Sequence, residues 1–240
     1  VSVHLVGGGW SDDGGSVYRA FLEEATARAV SGGRSVPRIA VIVVHDGDGL
    51  DTFARFDSIL GAAGPCEPVS VLVAEGTEVP QSAFAEVDAI LVAGGLTPAY
   101  LESVRPRFGE IRRQVADGTP YLGFSAGAAI AAERAIVGGW KIGDVEVCAE
   151  EAGEELEEVT IEEGIGLLDV AIDVHAAQWG TLTRLIAATE AGLVDGGLAV
   201  DESTVLIAGD GPLRVAGRGS VWTVIAAESG VVVSSAAARA

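Results

Sequence analysis

The chain has 240 residues, 49% of them hydrophobic, and a formal net charge of −20 at pH 7. That length suits one α/β domain over residues 1–240. The charge excludes nucleic acid as a partner, because a phosphate backbone needs a basic surface.

The elements follow one another in a regular way. Val1-Ser2-Val3-His4-Leu5-Val6-Gly7 lacks the basic region of a signal peptide and reads as a first strand over Ser2–Val6. Further buried strands are expected at Arg38–Val44, Val69–Val73, Ala89–Ala93 and Tyr121–Phe124. Between them run helix-period segments. Leu50, Phe53, Phe56, Ile59 and Leu60 form one apolar face, and Leu101, Val104, Phe108, Ile111 and Val115 form another. Such alternation predicts right-handed βαβ units and a mostly parallel sheet with helices on both faces. Reactive loops then gather beyond the carboxyl ends of the strands.

The second half differs. Asp144 to Glu163 holds ten acidic residues and no basic one, which predicts a loop or exposed hairpin. A strand over Val170–Val174 and a helix over Thr181–Ala191 follow. Short strands are expected around Leu198–Val200, Thr204–Ala208, Leu213–Val215 and Val221–Ile225, then a frayed tail from Ser234. No apolar run approaches the ~20 residues needed to cross a bilayer, so no membrane contact and a cytoplasmic location are expected. Cys66 and Cys148 make neither a disulfide framework nor a metal-like spacing.

Chemistry concentrates at Gly123-Phe124-Ser125-Ala126-Gly127, where a strand turns into an Ala-rich helix. A serine at such a turn is held in a strained conformation with its hydroxyl lifted above the sheet, and small residues flank it because backbone passes close by. The free N–H groups opening the helix favour an anion. Gly94-Gly95, after the Ala89–Ala93 strand, can bring backbone N–H groups close to a ligand and complete an oxyanion hole with the Ala126 N–H.

Of three histidines, His4 lies inside an apolar strand and His45 opens a loop on the far arm. His175 ends the Val170–Val174 strand, fifty residues after Ser125, and is the expected base. Its acidic surroundings are expected to raise its pKa. An acid must orient it, and spacing alone leaves Asp144, Glu146, Glu150 and Glu151 open.

Four segments in order resemble the serine peptidase family that includes aspartyl dipeptidase (peptidase E) and cyanophycinase. They are Gly94-Gly95-Leu96-Thr97-Pro98-Ala99-Tyr100-Leu101, Gly123-Phe124-Ser125-Ala126-Gly127-Ala128, Asp173 through Leu185, and Gly197 through Thr204. The resemblance implies a class I glutamine amidotransferase-like α/β fold with extra C-terminal strands. It also implies a triad of Ser125, His175 and an acid lying between them, by which placement Glu150 is favoured, with Glu151 and Asp144 as substitutes. Neither metal nor organic cofactor is implied. Where cyanophycinases carry several arginines and a glutamine that suit β-aspartyl-arginine, this chain has Trp179, Thr181 and Thr97, and keeps only Arg184. Thr97, Trp179 and Arg184 are the expected substrate-binding positions.

The expected function is a serine exopeptidase or dipeptidase acting on small peptides, with a homo-oligomer as a possible state. A hydrolase of non-peptide amides or esters would use the same residues. A non-catalytic binding protein on this fold would leave Ser125 inert, and an α/β-hydrolase would share the elbow but not the brief serine-to-histidine interval.

Overall fold

In a computed structural model, which describes residues 2–10 and 14–238, the first half alternates as expected. It runs β1 (Val3–Val6), α1 (Arg19–Ser31), β2 (Arg38–His45), α2 (Gly49–Ala63), β3 (Glu67–Ala74), β4 (Ala89–Val92), α3 (Thr97–Val104), α4 (Phe108–Ala116), β5 (Tyr121–Phe124) and α5 (Ala126–Ala129). There follow β6 (Arg134–Gly138), β7 (Lys141–Ile142), β8 (Val145–Glu146), β9 (Thr160–Glu163), β10 (Ala171–Val174) and α6 (Leu182–Glu190). The last strands are β11 (Gly196–Val200), β12 (Thr204–Ala208), β13 (Arg214–Gly217), β14 (Ser220–Ala226) and β15 (Val231–Ala237).

The central sheet has the order β13-β12-β1-β5-β4-β2-β3. Its five strands from β1 to β3 are parallel, and at one end β12 pairs antiparallel with β1 and β13 antiparallel with β12. β2 and β4 are continuous apolar runs because each lies inside the sheet and is covered on both faces. β3, at the edge, alternates buried and exposed positions over its second half. β1 and β5 pair in register, Val6 beside Phe124, so the Gly7-Gly8 loop and the Ser125 turn emerge together.

Four features depart from expectation. The apolar stripe Leu101–Val115 is two helices joined by a 3-10 turn at Arg105–Arg107, because Pro106 has no N–H to continue the ladder. α5 lasts only Ala126–Ala129 before the chain leaves for β6. The strands expected late in the chain form where anticipated, but β10, β11, β14 and β15 make a separate four-stranded sheet. β15 pairs with β14 through Ala237, so Ser234 onward is ordered strand as far as Ala237, while Val1, Arg239 and Ala240 lie outside the described residues.

The acidic stretch is an arm rather than a free loop. β7 and β8 form a tiny hairpin, a 3-10 turn covers Glu150–Ala152, and β9 returns to pair with β6. The second sheet is stitched to the first where His175 N–H donates to Gly7 O at 3.0 Å and Ser203 N–H donates to Gly8 O at 2.8 Å. Among the described residues no helix is long and apolar enough to cross a membrane.

Candidate active site

Ser125 follows β5 with φ 50° and ψ −110°, a backbone conformation that L-residues rarely hold. Its N–H donates to Val6 O at 2.9 Å, and its carbonyl accepts from Ala128 and Ala129, so the surrounding structure over-determines the turn. The flanking glycines are obligatory. A Cβ on Gly123 would lie 2.3 Å from Gly127 O, and one on Gly127 would lie 2.2 Å from Val92 O.

The Ser125 hydroxyl meets His175 Nε2 at 2.8 Å. His175 itself has φ 56° just past β10, and its Nδ1 meets Glu202 Oε1 at 2.7 Å. The acid on the imidazole is therefore Glu202. It comes from the turn between β11 and β12, not from the arm between serine and histidine. β10 and β11 pair in parallel with Val174 opposite Val200, so the residues after each strand end side by side. Buried Asp201 secures that turn: its carboxylate accepts from the N–H groups of Ala177 and Ser220 and from the Trp222 indole. Gln178 Oε1 accepts from Glu202 N–H at 2.8 Å.

Glu150 and Glu151 line the same cleft as Ser125 but are exposed on its wall, and Asp144 is exposed away from it. Glu150 and Glu151 set charge at the cleft, and none of the three is the partner of the imidazole. His4 is fully buried edge-on against Phe21, and His45 accepts from Gly47 N–H in its own loop.

Gly94 lies so near the serine that a Cβ there would be 2.8 Å from Ser125 Cβ. Gly94, Gly95 and Leu96 form one cleft wall. Ala126 is fully buried behind Ser125, where the N–H of a first helical residue has no partner within its helix. Gly127 N–H is engaged by Ala93 O. Thr97 is buried beside this wall and its N–H donates to Glu154 Oε2 at 2.9 Å, so it binds the arm rather than facing the cleft. Trp179 is on the cleft, its ring against His175.

Arg184 is not available to a substrate. It is 4% exposed and grips Asp173 through two bonds, Nε at 2.9 Å and an Nη at 2.7 Å. Its other Nη donates to Ala152 O at 2.7 Å and Gly139 O at 3.2 Å, both on the arm. Burial disfavours its charge, but the Asp173 carboxylate outweighs this and holds it protonated.

The cleft holds about 950 Å³ and is bordered by Asp48, Glu150, Glu151, Glu154, Glu155 and Glu202, with Arg55 as the one Lys or Arg among the described residues. Arg55 is exposed and leans over the Trp10 ring at 5.7 Å. Desolvation pushes the Glu154 carboxyl above its usual pKa, against the Thr97 N–H that favours its anion. Desolvation also pulls His175 below the usual histidine value, more than Glu202 and Asp173 raise it. The direction is opposite to that expected from the acidic surroundings, because loss of water outweighs the carboxylates. Among the described residues no group of three or more His, Cys, Asp or Glu converges as a metal site would.

The model of peptidase family S51 matches residues 53–209, a stretch containing Ser125, His175 and Glu202. Two cyanophycinases, from Synechococcus elongatus and Thermosynechococcus vestitus, are each 36% identical over 140 residues, which is 56% of this chain and 41% of theirs. The match thus spans less than half the length of these relatives. A solved peptidase from an acI-B1 Actinobacterium has TM-score 0.62 at 16% identity, over 100% of this chain and 95% of its own. A putative peptidase E from Listeria monocytogenes EGD-e has TM-score 0.54 at 14% identity, over 90% of this chain and 98% of its own. At such identities the likeness is one of fold.

Proposed function

The chain belongs to peptidase family S51, and from that premise we propose that it is a serine-type peptidase cleaving small peptides that carry a cationic group. The observation carrying this reading is the unbroken hydrogen-bond chain from Ser125 Oγ through His175 to Glu202 Oε1, at 2.8 and 2.7 Å. With Nδ1 protonated and donating to Glu202, Nε2 presents its lone pair to the serine hydroxyl. As Oγ attacks the peptide carbonyl carbon, its proton passes to Nε2, and Glu202 offsets the imidazolium charge. The N–H groups of Gly95 and Ala126 receive the oxyanion. The tetrahedral adduct collapses, the C–N bond breaks, and Nε2 returns its proton to the leaving amine. Water then cleaves the acyl ester by the same exchange in reverse order.

Replacing Glu202 tests the assignment of the acid. Glu202→Gln keeps the shape but removes the charge, and kcat is expected to fall about a hundredfold or more. Glu150→Gln should leave kcat near wild type. The opposite ranking would return the acid to the arm.

Substrate choice follows from the cleft wall. Carboxylates from the arm and from Asp48 surround the nucleophile, and the retained arginine of the family pattern, Arg184, is spent on Asp173. The negative potential attracts a free amine or a basic side chain and repels an acidic one. Matched dipeptides differing only in Asp, Leu or Arg should rank with Asp last in kcat/KM. The spread should narrow as salt rises, since exposed charges are screened over ~8–10 Å. An Asp peptide that wins at both low and high salt would contradict the electrostatic argument. Hydrolysis of short esters with no dipeptide cleavage would shift the reading to a non-peptide hydrolase.

A further inference from the structure

His175 and Trp179 belong to one turn, closed by Trp179 N–H donating to His175 O at 2.9 Å. The four-residue spacing lays the indole on the imidazole, with ring centroids 3.9 Å apart and planes 6° from parallel. The other sides of the imidazole are also occupied. Ser125 and Glu202 bond its two nitrogens, and Gly8 lies so close that a Cβ there would be 2.1 Å from Cε1. Two in-plane hydrogen bonds leave a ring free to tip about the line joining its nitrogens. A second ring stacked flat against it removes that freedom.

The exposure of the two rings points the same way. His175 is 5% exposed while Trp179 is 43% exposed, so the indole covers the imidazole and turns its own outer surface to the cleft. A tryptophan left this open is poorly explained by its own burial.

We infer that Trp179 is a positioning residue for the reaction proposed above: its indole holds the His175 ring square to Ser125 and Glu202 and screens it from water. The charged groups that face the imidazole are Glu202 from the β11–β12 turn, Asp173 on β10 and Arg184 on α6, with the arm carboxylates farther out along the cleft. All of them remain when Trp179 is removed. What changes is water access, and with water restored the imidazole regains basicity toward that of an ordinary histidine.

This inference rests on the catalytic reading but can be tested apart from it. An imidazolium in contact with an indole quenches its emission, so the tryptophan fluorescence of the full chain should show a step between about pH 4 and about pH 9, around the histidine range. Trp179→Phe should lose that step, because among the described residues neither Trp10, Trp140 nor Trp222 has a ring contact with a histidine. In peptide hydrolysis, Trp179→Ala should lower kcat about tenfold or more through loss of alignment. Its KM should change less, and the acid limb of kcat/KM should move to higher pH by about half a unit or more. Trp179→Phe, whose ring can still stack, should recover much of kcat. An emission step that survives in Trp179→Phe would overturn the inference. So would a Trp179→Ala enzyme that loses only KM with an unmoved acid limb, the behaviour of a substrate platform. A wild type that hydrolyses nothing would remove the catalytic reading, and the emission step would still decide whether indole and imidazole are held together.

Discussion

Arg184→Ala is expected to destabilise the protein by about 3–5 kcal/mol, the typical cost of breaking a buried ion pair from one side. For a chain of this size that corresponds to a melting temperature lower by about 10 °C or more. Three losses add in the same place. The Asp173 carboxylate, 1% exposed on β10, loses both guanidinium bonds and keeps only the Val174 N–H, and the carbonyls of Gly139 and Ala152 lose the guanidinium donor. Arg184→Lys should not rescue it, because a single ammonium cannot span Asp173 and the two carbonyls as the guanidinium fork does. The double variant Asp173→Leu with Arg184→Met should recover most of the stability, since it removes both charges together. Thermal and urea unfolding of the three variants check the ranking. A single Arg184→Ala change that melts within a degree or two of wild type would mean that the pair does not carry the arm. The consequence reaches function as well, because the carbonyls that Arg184 holds anchor the segment bearing Glu150, Glu151, Glu154 and Glu155. A loosened arm should raise KM for cationic peptides more than it lowers kcat.

That role for Arg184 shows where sequence reading succeeds and where it stops. β2, β4 and β5 were legible because a buried parallel strand is a continuous apolar run, and the elbow because its glycines and serine are adjacent in the chain. His175 was legible by its place at the end of a strand. Glu202 occupies the equivalent place after β11, within Asp201-Glu202-Ser203, and the same rule could have found it. What hid it was that the decisive contact is non-local: the parallel pairing of β10 with β11 brings the two strand ends together, and no spacing along the chain reports that pairing. The same gap hid the second sheet, since a strand has the same alternation whichever sheet it joins. For Arg184 a signal did exist. Asp173 interrupts the apolar strand Ala171-Ile172-Asp173-Val174, and a buried carboxylate demands a partner. The helix that follows supplies one arginine, and its burial removes it from the substrate.

The measurement that bears most directly on the whole account is hydrolysis of a library of short peptides by wild type and by Ser125→Ala. Serine and alanine share the same Cβ, so the unusual turn at φ 50° is no harder for alanine, and the lost hydroxyl leaves no cavity in the core. The variant should therefore melt close to wild type. Without the Oγ nucleophile, His175 and Glu202 have no proton to move, and any residual rate comes from binding and the oxyanion donors alone. Wild type should cleave peptides bearing a free amine or a basic side chain, and Ser125→Ala should be slower by at least about a thousandfold on the same peptides. A folded Ser125→Ala protein that retains a tenth or more of the wild-type rate would take Ser125 out of the mechanism and contradict the account at its centre.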